Sequence, residues 1–102
     1  MVAVADITAI TSCENYSEVY LGIGERLFVR QTMKVWATVL PAANFVRVHR
    51  CTIVNLDHLR SWRHVGDHTS ALTIDGCRES VKASYRYLRG LRGRLAQMQW
   101  EI

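Results

Sequence analysis

Two arginines and a histidine fall within four residues at Arg47-x-His49-Arg50, in a stretch where Phe45, Val46 and Val48 favour an extended, partly buried chain. Strand alternation sets Val46, Val48 and Arg50 on one side and Phe45, Arg47 and His49 on the other, so neither side is cleanly apolar. A guanidinium without a partner is costly to bury, and Asp57 is the only carboxylate close in sequence. The chemistry this block suits is recognition of an anion, because the planar arginine fork matches phosphate oxygens and guanine edges. Catalysis is a poorer match. His49, Cys51 and Asp57 invite a Cys-His reading, but a strand places His49 and Cys51 on one face with no oxyanion donor or orienting group in order. No phosphate loop, paired-carboxylate motif or cofactor fingerprint occurs. We expect neither an enzyme nor a cofactor.

The charge balance points the same way. The net charge of +4 implies an anionic partner without naming it. Its distribution is uneven: residues 1–25 carry Asp6, Glu14, Glu18 and Glu25 with no cation, whereas residues 82–94 carry Lys82, Arg86, Arg89, Arg92 and Arg94 with no acid. Eleven of the thirteen cations are arginine, although lysine would serve equally for solubility.

Cys13, Cys51 and Cys77 form an odd set without C-x-x-C spacing, which argues for small buried or half-buried thiols in a reducing, cytoplasmic compartment. His49-x-Cys51 and the pair His64 and His68 can be drawn as metal ligands. Gly66 and Asp67 make the second pair a loop, however, and no tetrahedral set emerges. No apolar run approaches the roughly 20 residues of a membrane helix, and the start of the chain lacks the basic and apolar regions of a secretory signal. At 102 residues the chain is expected to form one domain, residues 1–102.

The elements that must position these side chains are mostly short strands. Ile7 to Thr11 and Glu18 to Leu21 read as strands joined by a turn at Cys13 to Tyr16, and Gly22 to Glu25 leads into a strand over Arg26 to Arg30. Thr32 can cap a helix running to about Leu40, with Met33, Trp36, Val39 and Leu40 on its core face and Pro41 marking its end. The strand from Phe45 to Arg50 is followed by apolar, β-branched Cys51 to Asn55, then by a strand over His58 to Val65 with Leu59 and Trp62 inward. Gly66 to Ser70 reads as a loop. Ala71 to Ile74, Asp75-Gly76 and Cys77 to Val81 predict a tight hairpin. From Ser84 a helix is expected to about Gln97, weakened by Gly90 and Gly93. No helix-turn-helix is present in this pattern. The fold class expected is mainly β, an elongated antiparallel arrangement of many short strands with two short helices.

Leu40-Pro41, Phe45-x-Arg47-x-His49-Arg50 and Ile53-Val54-Asn55-Leu56 together resemble the centre of the LytTR family, the DNA-binding domains of LytR/AgrA-type bacterial response regulators. Ile7-x-x-Ile10, Asn15-Tyr16, Leu27 to Trp36, Asp75-Gly76 and Ser84-Tyr85 extend the resemblance over roughly the whole chain. It implies an output domain that binds double-stranded DNA sequence-specifically, its loops entering successive major grooves. It also implies an amino-terminal receiver domain in the full-length protein and a homodimer on paired DNA sites, with no membrane and no small-molecule substrate. The residues it points to are Asn15 and Ser17 in the first loop, Arg50 as the leading contact with His49 orienting its loop, and Lys82 and Arg86 at the third loop. There the family's Val-Ser-Arg-x-Tyr is Val81-Lys82-Ala83-Ser84-Tyr85, so Lys82 or Arg86 must supply the charge that Ala83 lacks. Cys51 and Thr11 stand where the family often has Ser and Glu. A second reading keeps the fold as a protein-interaction or dimerisation module that binds DNA weakly.

Overall fold

Leu56 to His58, a single 3-10 turn, carries the chain from one antiparallel sheet into another. The computed structural model describes residues 2–66 and 68–87. Its strands are β1 (Ile7–Cys13), β2 (Tyr16–Leu21), β3 (Arg26–Val29), β4 (Phe45–His49), β5 (Thr52–Asn55), β6 (Leu59–Gly66), β7 (Thr69–Ile74) and β8 (Val81–Ser84), with helix α1 (Met33–Val39) between β3 and β4. The first sheet has the order β3-β2-β1-β5-β4 and the second β6-β7-β8. The molecule measures 35 × 24 × 24 Å, the mainly antiparallel β architecture expected from the sequence. No helix among the described residues is long and apolar enough to cross a membrane.

The first sheet is covered on both faces, and an irregularity in β1 lets that strand supply both. One cluster lies between the sheets and joins Ala9, Val48 and Val54 to Leu59, Trp62, Leu72, Ile74 and Ala83. The other lies under α1 and joins Ile7, Ile10, Val19 and Ile53 to Met33, Leu40 and Phe45. Simple alternation would put Ile7 and Ile10 on opposite faces. The pairing of β1 with β2 shifts between Ile7 and Ala9, and such a bulge adds the residue that returns Ile10 to the α1 side. The skipped Thr8 is fully buried, and its hydroxyl donates to the Tyr20 carbonyl at 3.2 Å. A second shift, between Arg47 and His49, leaves Val48 in the inter-sheet core.

Helix α1 begins where Thr32 predicts, its side chain accepting from the Val35 amide at 3.3 Å. Met33 and Leu40 are buried as expected, but Val39 is 61% exposed. At 3.6 residues per turn Val39 lies about 120° around the helix from Met33, off the face that Met33 and Leu40 bury. Cys13, expected to be at least half-buried, is exposed at the end of β1.

Three expectations for the second half need correction. The stretch from Gly66 to Ser70 is not an open loop, because Gly66 already pairs with Thr69 across β6 and β7. His64 accordingly sits on a strand opposite Ser70. The Asp75-Gly76 turn is not a hairpin tip either. Gly76 alone takes a positive φ (80°), and the Cys77 amide donates to the Ile74 carbonyl at 3.1 Å. That is the sign pattern of a type II turn rather than the type I′ turn that joins tight hairpins. The chain runs on irregularly to β8, which pairs with β7 over Thr69 to Leu72. Finally, Ser84 closes β8, and helix begins at residues 85–87; the remainder of the expected helix lies outside the described residues.

The Asp75-Gly76 turn instead docks one sheet on the other. A Cβ at Gly76 would stand 2.0 Å from the Leu21 carbonyl oxygen. Beside it, the Arg60 guanidinium donates to Asp75 at 2.6 Å, and His58 bridges Asp75 at 3.3 Å and the Ala5 carbonyl at 2.8 Å. Arg60 holds the Asp75 carboxyl below its ordinary range, with His58 adding to the effect and partial desolvation opposing it.

Two outcomes follow. Gly76→Ala combines left-handed backbone strain with a backbone clash and should cost upward of about 2 kcal/mol in urea unfolding. Gly24→Ala, at φ 95° with no heavy atom within 4 Å of the new Cβ, should cost only about 1 kcal/mol. The depressed Asp75 carboxyl contributes stability above the unfolded carboxyl range and loses it as pH falls through the folded value. The stability gap between wild type and Asp75→Asn should therefore close as unfolding is repeated from about pH 6 down to about pH 2.

Candidate nucleic-acid interface

Register places two turns at one end of the five-stranded sheet. Thr11 of β1 pairs with Glu18 of β2 on one side and with Thr52 of β5 on the other. The β1–β2 turn at Glu14-Asn15 and the β4–β5 turn at Arg50-Cys51 must then project from the same edge. Adjacent hairpins lie two strand spacings apart, about 10 Å.

The β4–β5 turn is held from three directions. The Cys51 amide donates to His49 Nδ1 at 3.2 Å, the Arg47 guanidinium donates to the Arg50 carbonyl, and the Ser12 amide donates to the Cys51 carbonyl at 2.8 Å. The Arg47 guanidinium also lies over the Tyr87 ring, 5.9 Å from its centroid. The Arg50 side chain projects from this fixed backbone, exposed, and no ion pair among the described residues engages it. Asp57, its nearest acidic neighbour in sequence, instead accepts from Asn44 Nδ2 at 2.6 Å. His49 occupies the orienting position expected of it. Arg47 is a positioning residue that the sequence reading left without a role, although its spacing from Arg50 was visible: three residues on, its fork returns to close the turn.

In the β1–β2 turn Asn15 is exposed, beside Glu14 at φ 57° and Tyr16 at 49% exposure. Ser17 does not join it. Ser17 is 0% exposed, its hydroxyl donating to the Gln31 carbonyl at 2.6 Å and accepting from Trp36 Nε1 at 3.0 Å. That hydroxyl ties β2 to the start and body of α1, a tertiary use that its place next to an exposed turn did not reveal. Glu18, which from sequence would repel phosphate, is compensated: its carboxylate accepts from the Tyr20 phenol at 2.7 Å and from Arg26 at 3.4 Å. Burial, then this bond to Glu18, pushes the Tyr20 phenol up.

On β8, Lys82 is exposed while Ala83 is 0% exposed in the inter-sheet core. Strand alternation thus turns the position where the family has arginine inward, and Lys82 is the residue that reaches solvent. β8 packs on β4, and Lys82 lines the same cleft as His49, Cys51 and Thr52. Arg86 is exposed in the helical residues 85–87, next to Tyr87, the ring beneath Arg47. The structure therefore groups His49, Arg50 and Lys82, sets Asn15 on the same end, and leaves Ser17 inside. Arg89, Arg92 and Arg94 lie outside the described residues. Among the described residues no group of three or more His, Cys, Asp or Glu side chains could hold a metal ion. Burial raises the Cys77 thiol above its ordinary range, partly offset by Thr8.

Comparison with known proteins agrees with this architecture. The sequence model of the LytTr DNA-binding domain family matches residues 1–96. A solved structure, the LytTr DNA-binding domain of a putative methyl-accepting/DNA response regulator from Bacillus cereus, has the same fold. It aligns with a TM-score of 0.81 at 22% sequence identity, over 92% of this chain and 84% of that one. A search of curated proteins returns no match.

The two uses of a polar side chain near the first turn can be separated by experiment. Ser17→Ala leaves the Trp36 indole and the Gln31 carbonyl without their buried partner and should lower stability by about 1–3 kcal/mol. At temperatures where the variant is fully folded, its affinity for duplex DNA should match that of wild type in an anisotropy titration.

Proposed function

The chain belongs to the LytTR family of DNA-binding domains, and from that premise we propose that it is the sequence-reading output domain of a bacterial transcriptional regulator. Residues 1–102 act as one domain in this reading. Its mechanism is binding alone. The observation that carries it is the β1 register, which sets the Arg50 and Asn15 turns side by side at one end of a sheet. About 10 Å between hairpins suits a major groove about 12 Å wide, so the Arg50 fork can meet guanine O6 and N7 while Asn15 reaches a base edge or the groove's phosphate rim. Lys82 and Arg86 neutralise phosphates, and His49 and Arg47 fix the turn backbone. The 35 Å long axis is close to the helical repeat of about 34 Å, which lets separated parts of the interface meet successive major grooves. In the full-length protein a receiver domain precedes this one and promotes dimerisation on paired sites, in the cytoplasm.

A protein-interaction role on the same fold is favoured by one observation, the exposed apolar side chains Ile23, Phe28 and Val39. Selection from a pool of random duplex DNA at two salt concentrations separates the two. A reading domain should enrich one motif, and its affinity should fall steeply with salt, by a log-log slope of roughly −0.9 for each phosphate neutralised. Arg50→Ala should cost about 1–3 kcal/mol of affinity for that motif and relax selection at one base position. Absence of enrichment, with weak binding insensitive to salt and to Arg50→Ala, overturns the reading in favour of the interaction module.

A further inference from the structure

Behind the Arg50 turn a cleft of about 880 Å³ opens between the first sheet and the segment that leads from Gly76 into β8. That volume is in the range of small-molecule sites, roughly 300–1,000 Å³. Thr11, Tyr20 and Thr52 of the first sheet contribute to the lining of the cleft, beside the part of that sheet which the second sheet covers at Ala9, Val48 and Val54.

Its lining is cationic. Arg26, Arg78 and Lys82 line it with a single carboxylate residue, Glu79, and with His49. Glu18 engages one nitrogen of Arg26 at 3.4 Å, leaving most of that side chain's five N–H donors for another acceptor. Neither Arg78 nor Lys82 takes part in an ion pair among the described residues. Two arginines and a lysine in the lining of one cleft bring guanidinium forks and an ammonium that match the oxygens of a phosphate group, and each such bond is charge-assisted. A duplex is convex and too broad to fill a recess of this size. The occupant that fits is small.

We propose that this cleft binds a small phosphate ester, no larger than a mononucleotide, and that its occupancy opposes DNA binding by engaging Lys82 and His49. The binding half stands by itself; the competition half rests on the DNA reading above. By linkage, an ester that weakens DNA binding must be weakened by DNA to the same degree.

The test uses the whole chain, with pyrophosphate and adenosine monophosphate as probes at fixed ionic strength. In amide NMR titrations, Gly24, Thr52, Gly76 and Val81 should shift saturably, and Arg26→Gln/Arg78→Gln should weaken that response about tenfold or more. In the presence of the probe, wild type should bind its selected duplex more weakly, while the double variant's own duplex affinity, measured first without probe, should not change on adding it. The amide spectrum away from the cleft reports whether the variant is folded, and Arg78→Gln alone, in the exposed residues 78–80, serves if it is not. Shifts that do not saturate, or that are equal in wild type and variant, overturn the proposal. So does loss of duplex binding in the variant without any saturable response to a free probe, which would assign the cleft to a backbone phosphate of DNA. If no duplex binds, the DNA reading fails separately and the amide titration alone decides the site.

Discussion

The position of β1 between β2 and β5 is the constraint from which the interface follows. Both neighbours are antiparallel to it, so their turns meet at the same end, and the alignment of Thr11 with Glu18 and Thr52 sets how far each turn protrudes. Side chains on a strand alternate with period two, and a slip of one residue would exchange the two faces of the strand. Here that error is heavily opposed, because both faces are buried: Ala9 belongs to one core and Ile7 and Ile10 to the other. A turn end that gains nothing from burial is thus located by residues that gain from nothing else.

Much of this was legible from residue order. The turn at Glu14-Asn15, the Thr32 cap, the strand from Phe45 and the inward Leu59 and Trp62 all follow from local chemistry, and the F-x-R-x-H-R block with I-V-N pointed to the family. The errors share a cause, which is tertiary use of a locally ambiguous signal. Asp-Gly permits a tight hairpin, yet the same absence of a Cβ permits the close backbone approach to Leu21 that docks the sheets, where a Cβ would clash. Ser17 looked available because it follows an exposed Asn-Tyr pair, but its partners Gln31 and Trp36 are distant in sequence. Ala83 is a different case, since the sequence already offers Lys82 or Arg86 for the charge it lacks. In the fold it is a core residue, and its neighbour Lys82 carries the exposed charge.

Charge is organised in local pairs before it becomes a field. Glu18 with Arg26, and Asp75 with Arg60 and His58, settle acidic groups against nearby bases. Arg50, Arg78, Lys82 and Arg86 have no such partner among the described residues. Arg30, Lys34 and Arg63 likewise stand outside these pairs, so the surplus is shared over the surface, and the turn end with the cleft behind it holds part of it.

Strand β3 closes the first sheet on its outer side, and among the described residues no further strand pairs with it. Leu27 and Phe28 on that strand are 37% and 63% exposed. An open edge with apolar side chains is a template for another extended chain. Arg26 and Arg30 bracket these residues, and like charges facing each other across a new ladder repel. The surplus of arginine thus has a colloidal role. Screening it with salt, or neutralising it with a bound polyanion, removes part of the barrier that keeps copies of the chain from adding edge to edge.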